Sequence, residues 1–280
     1  MIKQFFLLMI FTLLSGAACQ TQNSSTNTNQ TSNTVAVNSA NSMTKTANTP
    51  MENSENAAAQ AINFDVPDGV KIIGTFYAAN KENSPAVLML HQFGGSRAAY
   101  KDSARQFQEN EINVLAIDGR GFGESTRKAD GSRVSVSQSN EAVAGMKSDV
   151  AAAVKFLSEQ KNVDKTRIGI VGASYGSSLA VIYAADNPAI KSVALLSPGT
   201  NYFGNLPTEP AIEKYGARPV LIVAAEDNGE SATASRRLDK LAAGDKHQLQ
   251  IYQKGGHGTG IFAAGVGLEK TLLEFFRQTL

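Results

Sequence analysis

The chain has 280 residues, 42% of them hydrophobic, enough to fill the core of one large domain or two small ones. Its 26 Lys and Arg nearly cancel its 25 Asp and Glu, Trp is absent, and Phe and Tyr fall in the apolar runs and not among basic residues, so nothing asks for nucleic acid as a partner. A single cysteine excludes an internal disulfide.

The first residues read as an export signal: Lys3 supplies a positive charge, Phe5 to Leu14 form an apolar run, and Ser15-Gly16-Ala17-Ala18 is a small-residue stretch. That run is short of the roughly 20 residues a spanning helix requires. Cys19 follows at once, and its position resembles that of the lipidated cysteine in bacterial lipoprotein signals. The resemblance implies cleavage after residue 18, acyl chains such as palmitate on Cys19, and a place in the bacterial cell envelope with the chain anchored to a membrane. The other reading is an ordinary export signal cleaved near Ala18, leaving a free thiol. Residues 19–60 are dominated by Asn, Ser, Thr, Gln and Ala and cannot bury enough surface to offset the entropy of ordering them, so they read as a disordered tether.

The folded body is expected over residues 61–280. Val70–Tyr77 reads as an early strand, followed by unbroken apolar runs at Ala86–Leu90, Asn113–Ile117, Arg167–Val171, Ser192–Leu196 and Val220–Ala224, and a last strand at Gln248–Tyr252. Short continuous apolar strands signal a sheet covered on both faces, the parallel case. The stretches between them, Tyr100–Asn110, Glu141–Glu159, Ser177–Asp186, Ser231–Ala243 and Leu268–Gln278, have helical composition, with apolar residues three and four apart as in Val150, Val154 and Leu157. The alternation predicts an α/β fold with a doubly wound, mostly parallel sheet, whose ligand sits at the carboxyl ends of the strands.

Gly172-Ala173-Ser174-Tyr175-Gly176 follows a predicted strand and precedes a predicted helix, the context a G-x-S-x-G nucleophile elbow requires. The turn is tight enough that the residues two before and two after the serine must be small, which Gly172 and Gly176 satisfy. A serine hydroxyl needs a positioned base. Of the three histidines, His257 lies in a glycine-rich loop after the last strand and is the candidate, while His247 reads as a solvated edge residue. The third member is expected between them in the chain, and Ala225-Glu226-Asp227-Asn228 offers two carboxylates at a strand end. Asp227, further into the loop, is preferred over Glu226 for holding the imidazole tautomer.

The N–H of Tyr175 is one expected oxyanion donor. The N–H of Phe93, in the loop His91-Gln92-Phe93-Gly94-Gly95, is the other, with His91 bracing that loop. The Asp118–Ser125 loop has glycines spaced by two, unlike a dinucleotide fingerprint, and reads as structural, fixed by an Asp118–Arg120 ion pair.

In order along the chain these motifs resemble the α/β-hydrolase superfamily, within it the dienelactone-hydrolase-like and serine-aminopeptidase-like groups, over about Ile73 to Leu280. The resemblance implies an α/β-hydrolase fold with an oxyanion loop at His91–Gly95, the Asp118–Ser125 segment after the next strand, and Ser174, Asp227 and His257 in that order. Two departures are Gln92, where many members have glycine, which is expected to narrow the site, and the short Ser197–Pro219 lid segment with Tyr202, Phe203 and Leu206. That segment reads as a small flap over a site poorly suited to long-chain lipids. Dienelactone hydrolases themselves use a cysteine nucleophile, so that activity is not implied.

The sequence therefore leads to a serine hydrolase acting on a small carboxylic ester through an acyl-enzyme, with a peptidase or amidase on a short peptide as the alternative. A surface binding protein with a hydrolase-like body is the reading from another class. No cofactor or metal is implied, since there is no H-E-x-x-H and no cysteine pair.

Overall fold

The computed structural model describes residues 58–280, so the signal segment 1–18, Cys19 and the tether up to residue 57 lie outside the described residues. The body is an eight-stranded sheet in the order β1-β2-β4-β3-β5-β6-β9-β10. Its strands are β1 (Gln60–Asp65), β2 (Lys71–Tyr77), β3 (Ser84–Leu90), β4 (Asn113–Ile117), β5 (Val163–Ala173), β6 (Ile190–Leu196), β9 (Val220–Ala225) and β10 (His247–Tyr252). The six strands from β4 to β10 run parallel, and β1 and β2 close one edge through antiparallel pairings. Each expected strand is present. β1 was not expected, because Gln60 and Ala61 continue the polar composition that precedes them and its exposed residues carry little apolar signal.

Alternation along the strands builds two cores from one sheet. Leu88, Leu90, Leu115, Ile117, Ile170, Val193, Leu195 and Ile222 face one side. Val87, Met89, Val114, Ala116, Val171, Ala194, Leu221 and Val223 face the other. The first face is covered by α2 (Asn140–Ser158), α3 (Tyr175–Asp186), α4 (Thr208–Tyr215) and α5 (Gly229–Leu241); α2 brings Val143, Met146, Val150, Val154 and Leu157, spaced three and four apart. The second is covered by α1 (Lys101–Glu109) and α7 (Leu268–Thr279), which bring Ala104 and Phe107, and Leu272, Phe275 and Phe276. Burying each such large side chain contributes roughly 1.5–3 kcal/mol, which explains why the central strands β3, β4, β6 and β9 are apolar on both faces. A short α6 (Gly260–Ala263) precedes α7. Among the described residues no helix is long and apolar enough to cross a membrane.

The Asp118–Ser125 loop is structural, but by different pairs from the one expected. Asp118 does not pair with Arg120. Its carboxylate takes the guanidinium of Arg97 and the backbone N–H groups of Arg97 (2.7 Å) and Glu124 (2.8 Å). Arg120 instead turns toward α2, where its Nε and Nη2 donate to Asp149 at 2.9 and 2.7 Å and its Nη1 reaches Asp68 at 2.5 Å. Gly145, one turn before Asp149, makes this possible: a Cβ there would overlap the guanidinium. Burial pushes the Asp149 carboxyl up, to about 6, with Arg120 opposing that rise. Removing one partner of a buried pair leaves the other uncompensated, whereas an exposed partner is held mostly by water. Asp149→Asn should therefore lower stability by about 3 kcal/mol in urea unfolding. Asp68→Asn, whose side chain is 46% exposed, should cost less than about 1 kcal/mol. Equal losses would refute the assignment of Asp149 as the buried anchor.

Candidate active site

The junction of β5 and α3 carries Ser174 at φ 53° and ψ −123°, a conformation that costs of order 1–3 kcal/mol for a residue with a Cβ. Two close approaches enforce it. A Cβ on Gly172 would overlap the carbonyl oxygen of Gly176, and a Cβ on Gly176 would lie 2.7 Å from the carbonyl oxygen of His91 and 2.8 Å from that of Leu90. The Ser174 N–H donates to Leu196 O on β6 (2.8 Å), and its C=O accepts from the Ser177 N–H (2.9 Å), so the backbone is held on both sides. The side chain is thereby set on a corner, 6% exposed, at the start of α3.

His257 reaches this corner from the loop between β10 and α6, with Nε2 2.7 Å from Ser174 Oγ. Three hydrogen bonds tie the part of the loop just beyond His257. Gly258 N–H donates to Ser197 Oγ (2.8 Å), and Thr259 donates to Gln92 Oε1 through its N–H (2.8 Å) and its hydroxyl (3.1 Å). Gly258, at φ 59°, leaves room for the Gln92 amide, which a Cβ would overlap. Gln92 was expected to narrow the site. Its side chain instead clasps the histidine loop, because the long amide spans from one strand end to the other. Ser197 is fully buried at φ 48°, and its N–H donates to Val223 O (2.7 Å).

Asp227 does not hydrogen-bond the imidazole. Its carboxylate accepts from the N–H groups of Gly255 (3.1 Å) and Gly256 (2.9 Å), which hold its pKa below the ordinary carboxylate value. It grips the peptide just ahead of His257 and not the ring itself. Glu226 pairs with Arg236 on α5, away from the ring. The far ring nitrogen of His257, Nδ1, lies 3.4 Å from Ser231 Oγ. Ser197 and Ser231 were not singled out in the sequence; Ser197 directly follows β6, so the rule that points to strand ends could have found it.

His91 braces the His91–Gly95 loop as expected. Its Nδ1 meets Gln92 O at 2.7 Å and its Nε2 accepts the Gly119 N–H at 2.9 Å, joining the ends of β3 and β4. Burial lowers its pKa, in keeping with a neutral ring. Among the described residues, neither the Phe93 nor the Tyr175 N–H donates to an acceptor in the protein, so both stay free for a ligand oxygen. The flap folds as a small hairpin, β7 (Asn201–Tyr202) with β8 (Leu206–Pro207), leading into α4. Phe203 packs against Phe93 (5.2 Å between ring centroids) and Tyr175 (6.1 Å), and Tyr202 Oη donates to Ser197 O (2.9 Å). One side of the site is therefore an aromatic wall. The other is a cavity of about 280 Å³ lined by Thr200, Asn201, Tyr202, Asn228, Glu230 and His257. Among the described residues no group of three or more His, Cys, Asp or Glu is gathered that could hold a metal ion.

Burial lowers the His257 pKa, and the charge of Glu230 partly opposes this. Burial thus biases the ring toward its neutral form. If it acts as a base, the acid limb of kcat/KM should fall below the ordinary imidazole value of about 6.5, because protonation comes only at lower pH. A limb above that value in a pH–rate profile would contradict the geometry.

Residues 81–215 match the family described as "Serine aminopeptidase, S33". An uncharacterized protein of Mycobacterium tuberculosis, MT2364, is 27% identical over 211 residues, covering 69% of this chain and 71% of that protein. Among solved structures, the α/β hydrolase GrgF from Penicillium sp. sh18 superposes with a TM-score of 0.66 at 17% identity, over 80% of this chain and 99% of that one. A dienelactone hydrolase from Anabaena variabilis superposes with a TM-score of 0.61 at 17% identity, over 80% and 98%. The chain has the fold these structures share.

Proposed function

We propose that this chain, built on the α/β-hydrolase fold, is a serine hydrolase that cleaves a carboxylic ester through an acyl-enzyme. The observation that carries the reading is the 2.7 Å approach of His257 Nε2 to a strained, nearly buried Ser174 hydroxyl. In acylation Ser174 Oγ bonds to the ester carbonyl carbon as its proton passes to Nε2. The carbonyl oxygen becomes an oxyanion held by the Tyr175 and Phe93 N–H groups. Collapse breaks the bond to the alcohol oxygen, which leaves with the proton from Nε2. Water then gives its proton to Nε2 and attacks the acyl carbon, and Ser174 recovers its proton as the acid departs. Asp227 serves by fixing the Gly255–Gly256 peptide, and so the position of the base. The general base supplies about 10²–10⁴ in rate and each oxyanion donor roughly 10²–10³.

The short flap, with Phe203 set against Phe93, favours a small acyl group over a long chain. The match to a serine aminopeptidase family supports a second reading, cleavage of an aminoacyl amide with the same residues.

A fluorophosphonate probe should label the folded protein at Ser174, and Ser174→Ala should abolish the label. His257→Ala should lower kcat/KM on p-nitrophenyl acetate by about 10³ or more. On p-nitrophenyl esters activity should fall from acetyl and butyryl to decanoyl. Turnover of aminoacyl anilides above that of esters would favour the amidase reading, and folded wild-type protein that stays unlabelled would end the catalytic one.

We further propose that Cys19 carries acyl chains that hold the protein on a membrane of the bacterial cell envelope. The support is the apolar run followed by small residues and a lone cysteine. Mass measurement of the mature N-terminus should find Cys19 first and acylated. An unmodified cysteine there refutes the anchor.

A further inference from the structure

The imidazole at residue 257 lacks the carboxylate contact that a hydroxyl–imidazole pair usually has: the Asp227 carboxylate faces the N–H groups of Gly255 and Gly256, and none of its hydrogen bonds reaches the ring. We infer that Ser231 is the positioning residue that fixes the His257 tautomer, with Glu230 beside it as the counter-charge; the inference rests on, and deepens, the serine-hydrolase reading.

Ser231 is the third residue of α5, and its place is set by the helix start. Asn228 caps α5 by accepting the Ser231 N–H at 3.2 Å, which turns the Ser231 side chain inward, where it is 4% exposed. From there its Oγ lies 3.4 Å from His257 Nδ1 and 3.5 Å from Ser197 O. Only one arrangement of protons satisfies both contacts. The carbonyl of Ser197 can only accept, so the Ser231 hydroxyl donates to it and its lone pair must accept from Nδ1–H. Nε2 is then bare and faces Ser174. The opposite tautomer would turn the Ser231 proton to Nδ1, forfeit the bond to Ser197, and point an N–H at Ser174, leaving no base.

The same chain suits the imidazolium. When Nε2 takes the proton from Ser174, Nδ1–H becomes a charge-assisted donor to the unchanged Ser231 hydroxyl, and no proton leaves the ring on that side. The start of α5 is electropositive and would oppose this charge. Glu230, in the first turn of α5, lines the cavity that His257 also lines and offsets it. The other titratable groups around the ring are Tyr202 on the flap, whose hydroxyl donates to Ser197 O and lies beside the Ser174 and Ser231 hydroxyls, and Asp227 beyond the Gly255–Gly256 peptide.

The test combines kinetics on p-nitrophenyl acetate with ¹⁵N spectra of the histidine rings in the full chain. Ser231→Ala should lower kcat about tenfold with little change in KM, and shift the acid limb to lower pH; Ser231→Thr, which keeps the hydroxyl, should restore most of the rate. Glu230→Gln should shift the limb in the same direction. Wild-type spectra at alkaline pH should show His257 protonated on Nδ1, and Ser231→Ala should give a tautomer mixture. A wild-type rate and pH profile in folded Ser231→Ala overturns the inference, as does an Nε2-protonated ring in the wild type, which decides the matter even if the variant does not fold. Labelling of wild-type Ser174 by fluorophosphonate separates the two levels: with label present, those outcomes defeat Ser231 alone, and with label absent the hydrolase reading falls and takes this with it.

Discussion

The structure is organised around a backbone constraint at one residue. Ser174 occupies a region of conformational space that an L-residue avoids, and it stays there because β5 and α3 approach so closely that only glycines fit at positions 172 and 176. The closeness in turn depends on the two-faced sheet: with apolar side chains alternating along β3, β5, β6 and β9, helices pack on both sides and press α3 against the strand ends. The energy stored at the elbow is small beside that burial. What it provides is direction, since a hydroxyl on a corner has no neighbouring backbone to satisfy and is left to the imidazole.

Around the elbow, specificity of position is built from neutral groups more than from charges. His91, Gln92, Ser197, Ser231 and Thr259 form hydrogen bonds that run between the ends of different strands. Charged pairs lie further out: Arg97 with Asp118 and Glu124, and Arg120 with Asp149 and Asp68, stiffen the loop after β4.

Much of this was legible in the sequence because the signals are local. The apolar runs located seven strands of the main sheet to within a few residues, and G-x-S-x-G in its strand–turn–helix setting located the elbow. What escaped was carried by residues whose role depends on a distant partner. Arg120 reads as a mate for Asp118 two residues away, yet Gly145 on α2 opens a path to Asp149, 29 residues on. Asp227 lies where a carboxylate for the ring belongs, but its side chain is turned to the N–H groups of the two glycines before His257, a contact that no local pattern announces. Nothing local marks Ser231, since a serine near a helix start usually serves as a cap; here Asn228 takes that duty and leaves the hydroxyl for the ring. β1 was hidden by its polar surroundings, an edge strand with one exposed side.

The Gln92 amide has a wider meaning for how the site behaves. By accepting twice from Thr259 it ties the loop that presents the Phe93 N–H to the loop that presents His257, across 167 residues of sequence. The two loops therefore form one frame, and a displacement of either is passed to the other through a single side chain. In the mechanism proposed above, a ligand oxygen held by the Phe93 N–H therefore rests on the same hydrogen-bonded frame as the imidazole, so that the place where the substrate binds and the place from which its proton is taken share one support.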